Sequence, residues 1–231
     1  MSIHIIASQE EWRSARLALL EKEKQLTRLH DAVAAARRDL PRVRVEEDYV
    51  FEGPAGEVTL ADLFEGKSQL IIYHFMLGPN AAEPCKSCSF WAEHFDAARV
   101  HLPQRDVNLI SVSRAPLKKI EAMRARMGWK FPWLSSHGSD FNYDFGASFA
   151  PDQAGQRLYN FGTQTAGAGE LPGLSVFLKQ GAAVFHTYSC YARGLEALNG
   201  TYQMLDLAPK GRDEADLPWP MAWVKLKDQY G

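Results

Sequence analysis

The chain has only three cysteines among its 231 residues, and it has neither a long apolar run nor an excess of one charge. So few cysteines exclude a secreted scaffold held together by disulfides. The longest apolar run, over residues 70–77, falls far short of the roughly 20 residues that cross a bilayer. Lys and Arg number 26 against 28 Asp and Glu, a balance without the basic excess that phosphate binding requires. We therefore expect a soluble protein that binds neither membrane nor nucleic acid.

The start of the chain lacks the pattern of a secretory signal. Residues 3–7 form a brief apolar stretch with no basic stretch before it, and Gln9, Glu10 and Glu11 follow soon after. A signal peptide has a basic start and a longer apolar region. This difference favours a cytoplasmic location.

Length and composition predict one large domain with extensions. At roughly 150 residues per domain, 231 residues do not make two full-sized domains. Hydrophobic residues make up 46% of the chain, which is enough for a buried core. We divide the chain into an N-terminal helical extension over 1–42, a central domain over 43–208, and a C-terminal tail over 209–231 that packs on the domain.

The N-terminal extension has the pattern of one long amphipathic helix. Ser8 with Glu11 makes a capping box, and apolar residues continue at mostly three-to-four spacing up to about Arg38. Pro41 ends the helix. Two interpretations of its apolar face stay open: the face docks on the domain, or it docks on a partner subunit in a homodimer.

Strands and helices alternate through the central domain. Residues 70–76 and 107–112 are predicted strands. A helical pattern follows each of them, first over 85–102 and then from Pro116 to Gly128. This alternation is typical of parallel strands joined by crossover helices.

A hairpin makes the predicted sheet mixed. Residues 174–177 and 183–188 are strand-like runs joined through Gly181, which predicts an antiparallel pair. A last helix is expected over 195–205. The predicted fold class is therefore α/β, with a central mixed sheet flanked by helices.

Cys85 and Cys88 form a Cys-x-x-Cys pair at the predicted first turn of the 85–102 helix. Unpaired backbone N–H groups at a helix start favour a thiolate, and Lys86 adds a positive charge next to Cys85. Cys88, one turn further in, is positioned to close a short disulfide. The redox hypothesis makes Cys85 the nucleophile and Cys88 the resolving thiol. Half of a zinc site and a pair of inert cysteines are the alternatives.

The central domain resembles the peroxiredoxin and thiol-specific-antioxidant branch of the thioredoxin superfamily over about residues 53–188. The motifs that carry the resemblance are GEVTLADLFEGK (56–67), ISVS (110–113), FPWLS (131–135) and YDFG (143–146). LPGLSVF (171–177) is similar to the thioredoxin segment whose cis proline faces the active-site cysteines. The resemblance implies a thioredoxin-like fold and gives Pro172 that role, with a cis peptide bond to Leu171.

Nearly the whole chain resembles an uncharacterised bacterial family of thioredoxin-like proteins, classed as a domain of unknown function. The motifs are YHFM (73–76), CKSCSFW (85–91), SRAP (113–116), GSDFNYDFG (138–146) and LPWPMAW (217–223). This resemblance implies the fold and, through the cysteine pair, thiol redox chemistry.

Two departures from the better-known relatives narrow the expected activity. Peroxiredoxins precede their cysteine with a proline and a threonine or serine, where this chain has Ala81 and Cys85 ahead of Cys88. Thioredoxins place their cysteine pair directly after the strand, where this chain inserts residues 77–84. Peroxide reduction is therefore the less favoured reaction, and the activity of a general disulfide reductase is less favoured too.

Arg114 lies at the carboxyl end of the second parallel strand, on the side where open parallel sheets place their sites. It stabilises a thiolate or an anionic substrate in one interpretation and forms a surface salt bridge in the other.

His74 and His186 lie in predicted strands, which favours core or edge histidines over metal ligands. Cys190 is interpreted as a small buried residue, with a third redox thiol as the alternative.

An aromatic cluster lies between the second helix and the hairpin. Its members are Trp129, Trp133, Phe141, Tyr143 and Phe145. We expect them to pack in the core, with a substrate-lining role as the alternative.

The function that these residues predict is thiol–disulfide oxidoreductase, with Cys85 and Cys88 as the dithiol and Pro172 and Arg114 shaping the site. The reaction needs an external thiol reductant or a disulfide substrate, and no organic cofactor. Two alternatives stay open: a metal-binding or metal-delivery protein that uses the cysteines and a histidine, and a redox-inactive interaction module. Two cysteines supply half of a tetrahedral site, so we expect no tightly bound zinc.

Overall fold

The computed structural model describes residues 5–153, 155 and 158–231. The chain divides into two units, Met1–Pro41 and Arg42–Gly231. Helix α1 (Gln9–Arg38) makes up most of the first unit, and the predicted capping box and long helix are confirmed. None of the residues of α1 is buried. Among the described residues, no helix is both long and apolar enough to cross a membrane.

The second unit contains twelve strands and five α-helices within its described residues. The strands are β1 (Val43–Arg44), β2 (Val50–Gly53), β3 (Gly56–Thr59), β4 (Gln69–His74), β5 (Val107–Ser113), β6 (Trp133–Ser135), β7 (Ser148–Phe149), β8 (Leu158–Tyr159), β9 (Gln164–Thr165), β10 (Gly169–Glu170), β11 (Gly173–Gln180) and β12 (Ala183–Tyr191). The helices are α2 (Lys86–Ala92), α3 (Phe95–His101), α4 (Leu117–Met127), α5 (Phe141–Asp144) and α6 (Gly200–Leu205). Short 3₁₀ turns add Asp62–Phe64, Leu102–Arg105, Pro151–Gln153, Ala192–Leu198 and Lys227–Gln229.

Eight strands form one mixed sheet in the order β1-β12-β11-β4-β5-β6-β2-β3. The central strands β4, β5 and β6 run parallel, as the strand–helix alternation predicts. On the other side of β4, β11 runs antiparallel and continues through a tight turn at Gly181 into β12. The predicted α/β class, mixed sheet and hairpin are confirmed.

Alternate residues of β4 enter two hydrophobic cores, as the two-residue period of a strand requires. Leu70 and Ile72 join a core that also contains Phe141 of α5. Tyr73 joins the other core, which contains Cys88 of α2 and residues of α3 and α4. The carboxyl end of β4 therefore meets the start of α2 on one defined face of the sheet.

The segment predicted as one helix over 85–102 is two helices, α2 and α3, so the prediction of a continuous helix is wrong. At the break, the N–H of His94 bonds to the carbonyl of Trp91, three residues back, in a 3₁₀ contact. Phe95 lies beyond the break and is still buried in the core that contains Cys88 and Trp91. Because the apolar spacing continues across the break, the sequence pattern gives no sign of it.

The last predicted helix, over 195–205, is divided as well. A 3₁₀ stretch, Ala192–Leu198, precedes α6, and Asn199 stands between the two. The Asn199 side chain accepts a hydrogen bond of 3.0 Å from the N–H of Tyr202. Asn is a preferred N-cap residue, so it starts a new helix there.

Gly173 permits a close approach of two strands next to the site. A Cβ at this position would lie 2.9 Å from the Tyr191 ring on β12 and 3.4 Å from the His74 ring on β4. A side chain here would push β11 away from its neighbours. The glycine therefore allows the start of β11, directly after Pro172, to lie close to both neighbouring strands.

The C-terminal tail packs through its apolar residues and one carboxylate. Leu226 is buried in the core that faces α2, and Met221 and Trp223 pack against it. One oxygen of Glu214 accepts hydrogen bonds from the Tyr202 hydroxyl (2.7 Å), the Trp223 indole N–H (2.6 Å) and the Met221 N–H (3.0 Å). The bond from Tyr202 joins the tail to α6, and the other two bonds join residues within the tail.

Candidate dithiol site

Cys85 lies immediately before α2 and beyond the end of β4. Its N–H donates to the carbonyl of Met76 at 3.1 Å, so the inserted loop 77–84 returns to the strand end from which it left. Its carbonyl accepts hydrogen bonds from the N–H and the hydroxyl of Ser89, both at 2.9 Å. Cys85 therefore stands at the carboxyl end of β4 despite the insertion.

Short-range hydrogen-bond donors stabilise the Cys85 thiolate. The largest effect comes from the Cys88 side chain, and the N–H groups of Cys88 and Ser87 and the Ser87 hydroxyl add to it. Burial acts in the opposite direction because it removes solvation from the charged form. The balance lowers the pKa of Cys85 to about 6. Lys86, which the sequence suggested as a contributor, has an exposed side chain, and the donors within the turn take that role.

Cys88 has the opposite character. It is 2% exposed, and burial raises the pKa of its thiol well above the ordinary value. The hydrogen bond to Cys85 and the charge on Cys85 raise it further. The Tyr73 hydroxyl and the Met76 N–H, the latter at 3.4 Å, donate to its sulfur. One thiol of the pair thus ionises below neutral pH while the other keeps its proton.

Two cavities meet at Cys85, and Met76 lines both of them. The first, which we name the dithiol cavity, has a volume of about 590 Å³ and both cysteines in its wall. Other residues of its wall include Tyr73, Ser87, Trp91, Pro172, Leu195 and Met221. The second, which we name the arginine cavity, has a volume of about 560 Å³ and contains Cys85 and Arg114.

Pro172 lines the dithiol cavity together with both cysteines, but its peptide bond is trans. No peptide bond is cis in the described part of the chain, so the cis bond expected from the thioredoxin resemblance is wrong. The Leu171 N–H bonds to the Ala147 carbonyl at 2.9 Å, next to the β7–β10 pair, so the chain is already held as it enters the proline. The trans form is the lower-energy one for such a bond. The Tyr159 hydroxyl donates to the Pro172 carbonyl and holds this wall in place.

Arg114 faces the arginine cavity, and its guanidinium pairs with Glu170 at 3.2 Å. The two side chains are 18% and 10% exposed, so the pair is not an exposed surface salt bridge. The guanidinium carbon also lies 4.3 Å from the centre of the Tyr143 ring. Arg114 Nε is buried and has no hydrogen-bond partner among the residues that the structure describes. The structure therefore brings Arg114 to a cavity that it shares with Cys85, with its charge already balanced by a carboxylate.

The surroundings of Glu170 shift the pKa of its carboxyl group. Burial raises its pKa, whereas hydrogen bonds from Ser148 and Arg114 act in the opposite direction.

Within the aromatic cluster, Tyr143 lines the arginine cavity, while Trp129, Trp133 and Phe141 are buried in the cores. The cluster thus packs mainly in the core, and one of its members reaches a cavity.

The two histidines belong to the sheet rather than to the dithiol. His74 Nε2 lies 2.9 Å from the Ser175 hydroxyl, and the His74 ring stacks on Phe141 in the core away from Cys88. His186 Nε2 lies 2.8 Å from the Ser189 hydroxyl. Burial lowers the pKa of both, to about 3 for His74. No group of three or more metal-ligating side chains occurs within the residues that the structure describes.

Cys190 lies on β12 and is buried in the same core as Cys88. It lines neither cavity. Its position in the core, outside both cavities, agrees with a packing role.

Sequence reasoning missed several residues around the dithiol. Ser87 could have been found, because a polar residue inside the cysteine pair is within hydrogen-bond reach of the first sulfur. Tyr159, whose hydroxyl also accepts a 2.9 Å bond from the Ala192 N–H, is distant in sequence from the cysteines. So are Tyr202 and Glu214, which lie in the dithiol-cavity wall. No local pattern links these three residues to Cys85.

A dithiol at a helix start, following the central strand of a mixed α/β sheet, defines a thioredoxin-like protein. The chain belongs to a family described as bacterial protein of unknown function (DUF899), whose model matches residues 1–230. This confirms the family resemblance seen in the sequence. A comparison with curated proteins found no match.

The solved structures similar to this chain include peroxiredoxins. Two structures of peroxiredoxin Q from Xanthomonas campestris, one of them a cysteine-to-serine mutant, each give a TM-score of 0.50 at 14% identity. Each match covers 72% of this chain and 98% of the other chain. At this level of identity the similarity establishes the thioredoxin-like fold, which is confirmed.

Proposed function

We propose that the protein is a thiol–disulfide oxidoreductase that uses Cys85 and Cys88 as its dithiol. The observation that carries the proposal is the division of roles between the two thiols. Cys85 has a pKa of about 6 and lines both cavities, while Cys88 is buried and keeps its proton. An attacking thiol must be ionised and accessible, whereas a resolving thiol needs only to reach the first sulfur.

The reaction proceeds by two exchanges. The Cys85 thiolate attacks one sulfur of a substrate disulfide, forms a mixed disulfide and releases the other sulfur as a thiolate. The Cys88 thiol then loses its proton to solvent or to the released thiolate and attacks the Cys85 sulfur. The bond between Cys85 and the substrate breaks, the second thiolate leaves, and the Cys85–Cys88 disulfide remains. An external thiol reductant supplies two electrons and two protons to restore the dithiol.

Pro172 and Arg114 shape the site from different sides. Pro172 forms part of the wall of the cavity that contains both sulfurs. Arg114 lines the arginine cavity, where we expect its guanidinium to stabilise the departing thiolate. The cycle uses no organic cofactor, and a cytoplasmic thiol pool would supply the reductant.

The two alternative functions have less support. A metal-delivery function needs a further ligand beside the sulfurs, but His74 is stacked in the other core and His186 bonds to Ser189. A redox-inactive module would not require the lowered pKa of Cys85. The metal content after purification without chelator tests the metal-delivery alternative. Stoichiometric metal on Cys85 and Cys88 would favour it over the proposed function.

The test traps the mixed disulfide. The reduced protein is treated with 2-hydroxyethyl disulfide and analysed by intact mass. Cys88→Ser should keep one hydroxyethylthio group, because nothing resolves the adduct, whereas the wild type should lose two hydrogens and carry no group. Cys85→Ser should gain none. An adduct on Cys85→Ser, or no adduct on Cys88→Ser, contradicts the assignment of roles, and an inert wild type supports the interaction module.

A further inference from the structure

The dithiol cavity is the size of a small-molecule site. Its volume of about 590 Å³ lies within the range of roughly 300–1,000 Å³ that small ligands occupy. Both sulfurs are in its wall, so a disulfide bound there meets the nucleophile and the resolving thiol together. Trp91, Leu195 and Met221 contribute apolar or aromatic surface to the same wall.

Three of the four Arg and Glu side chains around this cavity form ion pairs within the chain, and the fourth, Glu214, already accepts three hydrogen bonds from neutral groups. Arg212 bonds to Asp206 at 2.8 Å and to Glu196 at 3.2 Å, and its guanidinium carbon lies 4.1 Å from the centre of the Tyr202 ring. Arg193 also pairs with Glu196, at 2.8 Å. An anionic ligand would have to break one of these ion pairs to find a counter-charge, and a cationic ligand would have to displace a donor from Glu214. The cavity therefore favours a ligand without charge.

One wall of the cavity is the C-terminal tail. Pro220 and Met221 line it, Met221 and Trp223 bond to Glu214, and Glu214 in turn bonds to Tyr202 of α6. Cys88 is buried, and Cys85 is half-buried. A disulfide within a folded protein would have to displace the tail to enter this cavity, whereas a small molecule enters the cavity as it stands.

We infer that the dithiol cavity binds an uncharged, low-molecular-weight disulfide with apolar substituents. The inference rests on the proposed function, because it names the substrate class of that dithiol. The chemistry is the two-step exchange given above: the substrate disulfide is reduced to two thiols, and the Cys85–Cys88 pair is oxidised.

The experiment compares two uncharged disulfides, bis(2-phenylethyl) disulfide and 2-hydroxyethyl disulfide. The rate of oxidation of the reduced protein by each is divided by the rate of the same disulfide with glutathione, which corrects for intrinsic reactivity. After that correction the phenylethyl compound should react at least about tenfold faster, as expected for an apolar group that enters a fitted pocket. Glutathione disulfide and insulin, as charged and protein substrates, should react more slowly than the phenylethyl compound.

A pair of variants locates the effect in the cavity. Met221→Asp places a charge in the wall, and the left-handed backbone of Met221 (φ 70°) tolerates aspartate. It should remove the phenylethyl preference. Met204→Asp, at an exposed position outside the cavity, should keep it.

A protection assay on the wild type does not depend on the folding of any variant. The thioether analogue of the phenylethyl disulfide cannot exchange, and it should protect Cys85 from iodoacetamide.

The outcomes distinguish failure of the inference about the substrate from failure of the proposed function. Equal corrected rates for both disulfides, or faster reaction with insulin, overturn the inference even if the pair still forms a disulfide with a glutathione buffer. A wild-type pair that never forms a disulfide overturns the proposed function itself, and the inference with it.

Discussion

The Cys88 side chain hydrogen-bonds to the Cys85 sulfur, and this one contact moves the pKa values of the two thiols in opposite directions. It is the largest cause of the lowered pKa of Cys85, and after burial it is the largest cause of the raised pKa of Cys88. The pair therefore consists of an ionised thiol and a protonated neighbour.

The pH dependence of alkylation tests this contact. In the reduced wild type, the rate of Cys85 modification by iodoacetamide should rise with pH through a midpoint near 6, because the thiolate is the reactive form. Cys88→Ala removes the largest stabilising donor, so the midpoint should move up toward the ordinary value of about 8.5. Peptide mass spectrometry follows each site, and Cys190→Ser serves as the control that leaves the midpoint unchanged. An unchanged midpoint in Cys88→Ala would show that the contact does not set the pKa.

Ser87 and Lys86 form a matched pair of neighbours for the same assay. Ser87→Ala removes a hydroxyl that donates to the Cys85 thiolate, so the midpoint should rise, although by less than in Cys88→Ala because the Cys88 side chain, the largest stabilising donor, remains. Lys86→Ala alters an exposed side chain and should shift the midpoint little. A larger shift in Lys86→Ala than in Ser87→Ala would restore the sequence-based expectation that the lysine stabilises the thiolate.

Glu214 should matter for the tail more than for the thiols. Glu214→Ala removes the acceptor of three hydrogen bonds, and we expect a loss of about 1–3 kcal/mol in the free energy of unfolding, measured by urea denaturation. Glu214→Gln keeps a side-chain oxygen and should lose less. The Cys85 alkylation midpoint should be unchanged in both variants. Equal stability of the Ala and Gln variants would argue against the anchoring role.

Helix α1 leaves a stripe of apolar side chains exposed, and we propose that it pairs with the same helix of a second copy of the chain. Trp12, Leu19, Leu26 and Val33 recur every seven residues, which is the spacing of a coiled-coil seam. The first turn carries acidic and the last turn basic residues, so an antiparallel pair brings opposite charges together.

Oligomeric state measured by analytical ultracentrifugation tests this pairing. The wild type should be a dimer and the double variant Leu19→Asp, Leu26→Asp a monomer. Leu17→Asp, at an exposed position on another face of α1, should remain a dimer. A monomeric wild type, or dissociation by Leu17→Asp, would contradict pairing through the stripe.

Local chemistry made much of the fold predictable. Ser8 and Glu11 cap α1, and Gly128 ends α4 with a left-handed φ of 67°, because these residue types act within a few positions of themselves. The cysteine pair was equally visible, since both residues lie in one turn. The break at His94 was not, because the apolar spacing continues through it.

The rest of the site depends on contacts that sequence does not display. A resemblance placed Pro172 near the cysteines, but it could not determine the isomer of the peptide bond, which is trans. Arg114 was placed at the sheet edge, but its partner Glu170 comes from a segment 56 residues away. Glu214 reaches the cavity through the folding of the tail. Long-range packing decides all three features.

The central claim is that Cys85 and Cys88 cycle as one dithiol, and a redox titration tests it most directly. The protein is equilibrated with mixtures of reduced and oxidised glutathione, quenched with acid, alkylated and weighed by intact mass. Wild type and Cys190→Ser should pass through the same single two-electron transition, and Cys85→Ser and Cys88→Ser should form no internal disulfide. A wild type that stays a dithiol throughout, or a disulfide between Cys85 and Cys190 in Cys88→Ser at the wild-type midpoint, would contradict the account.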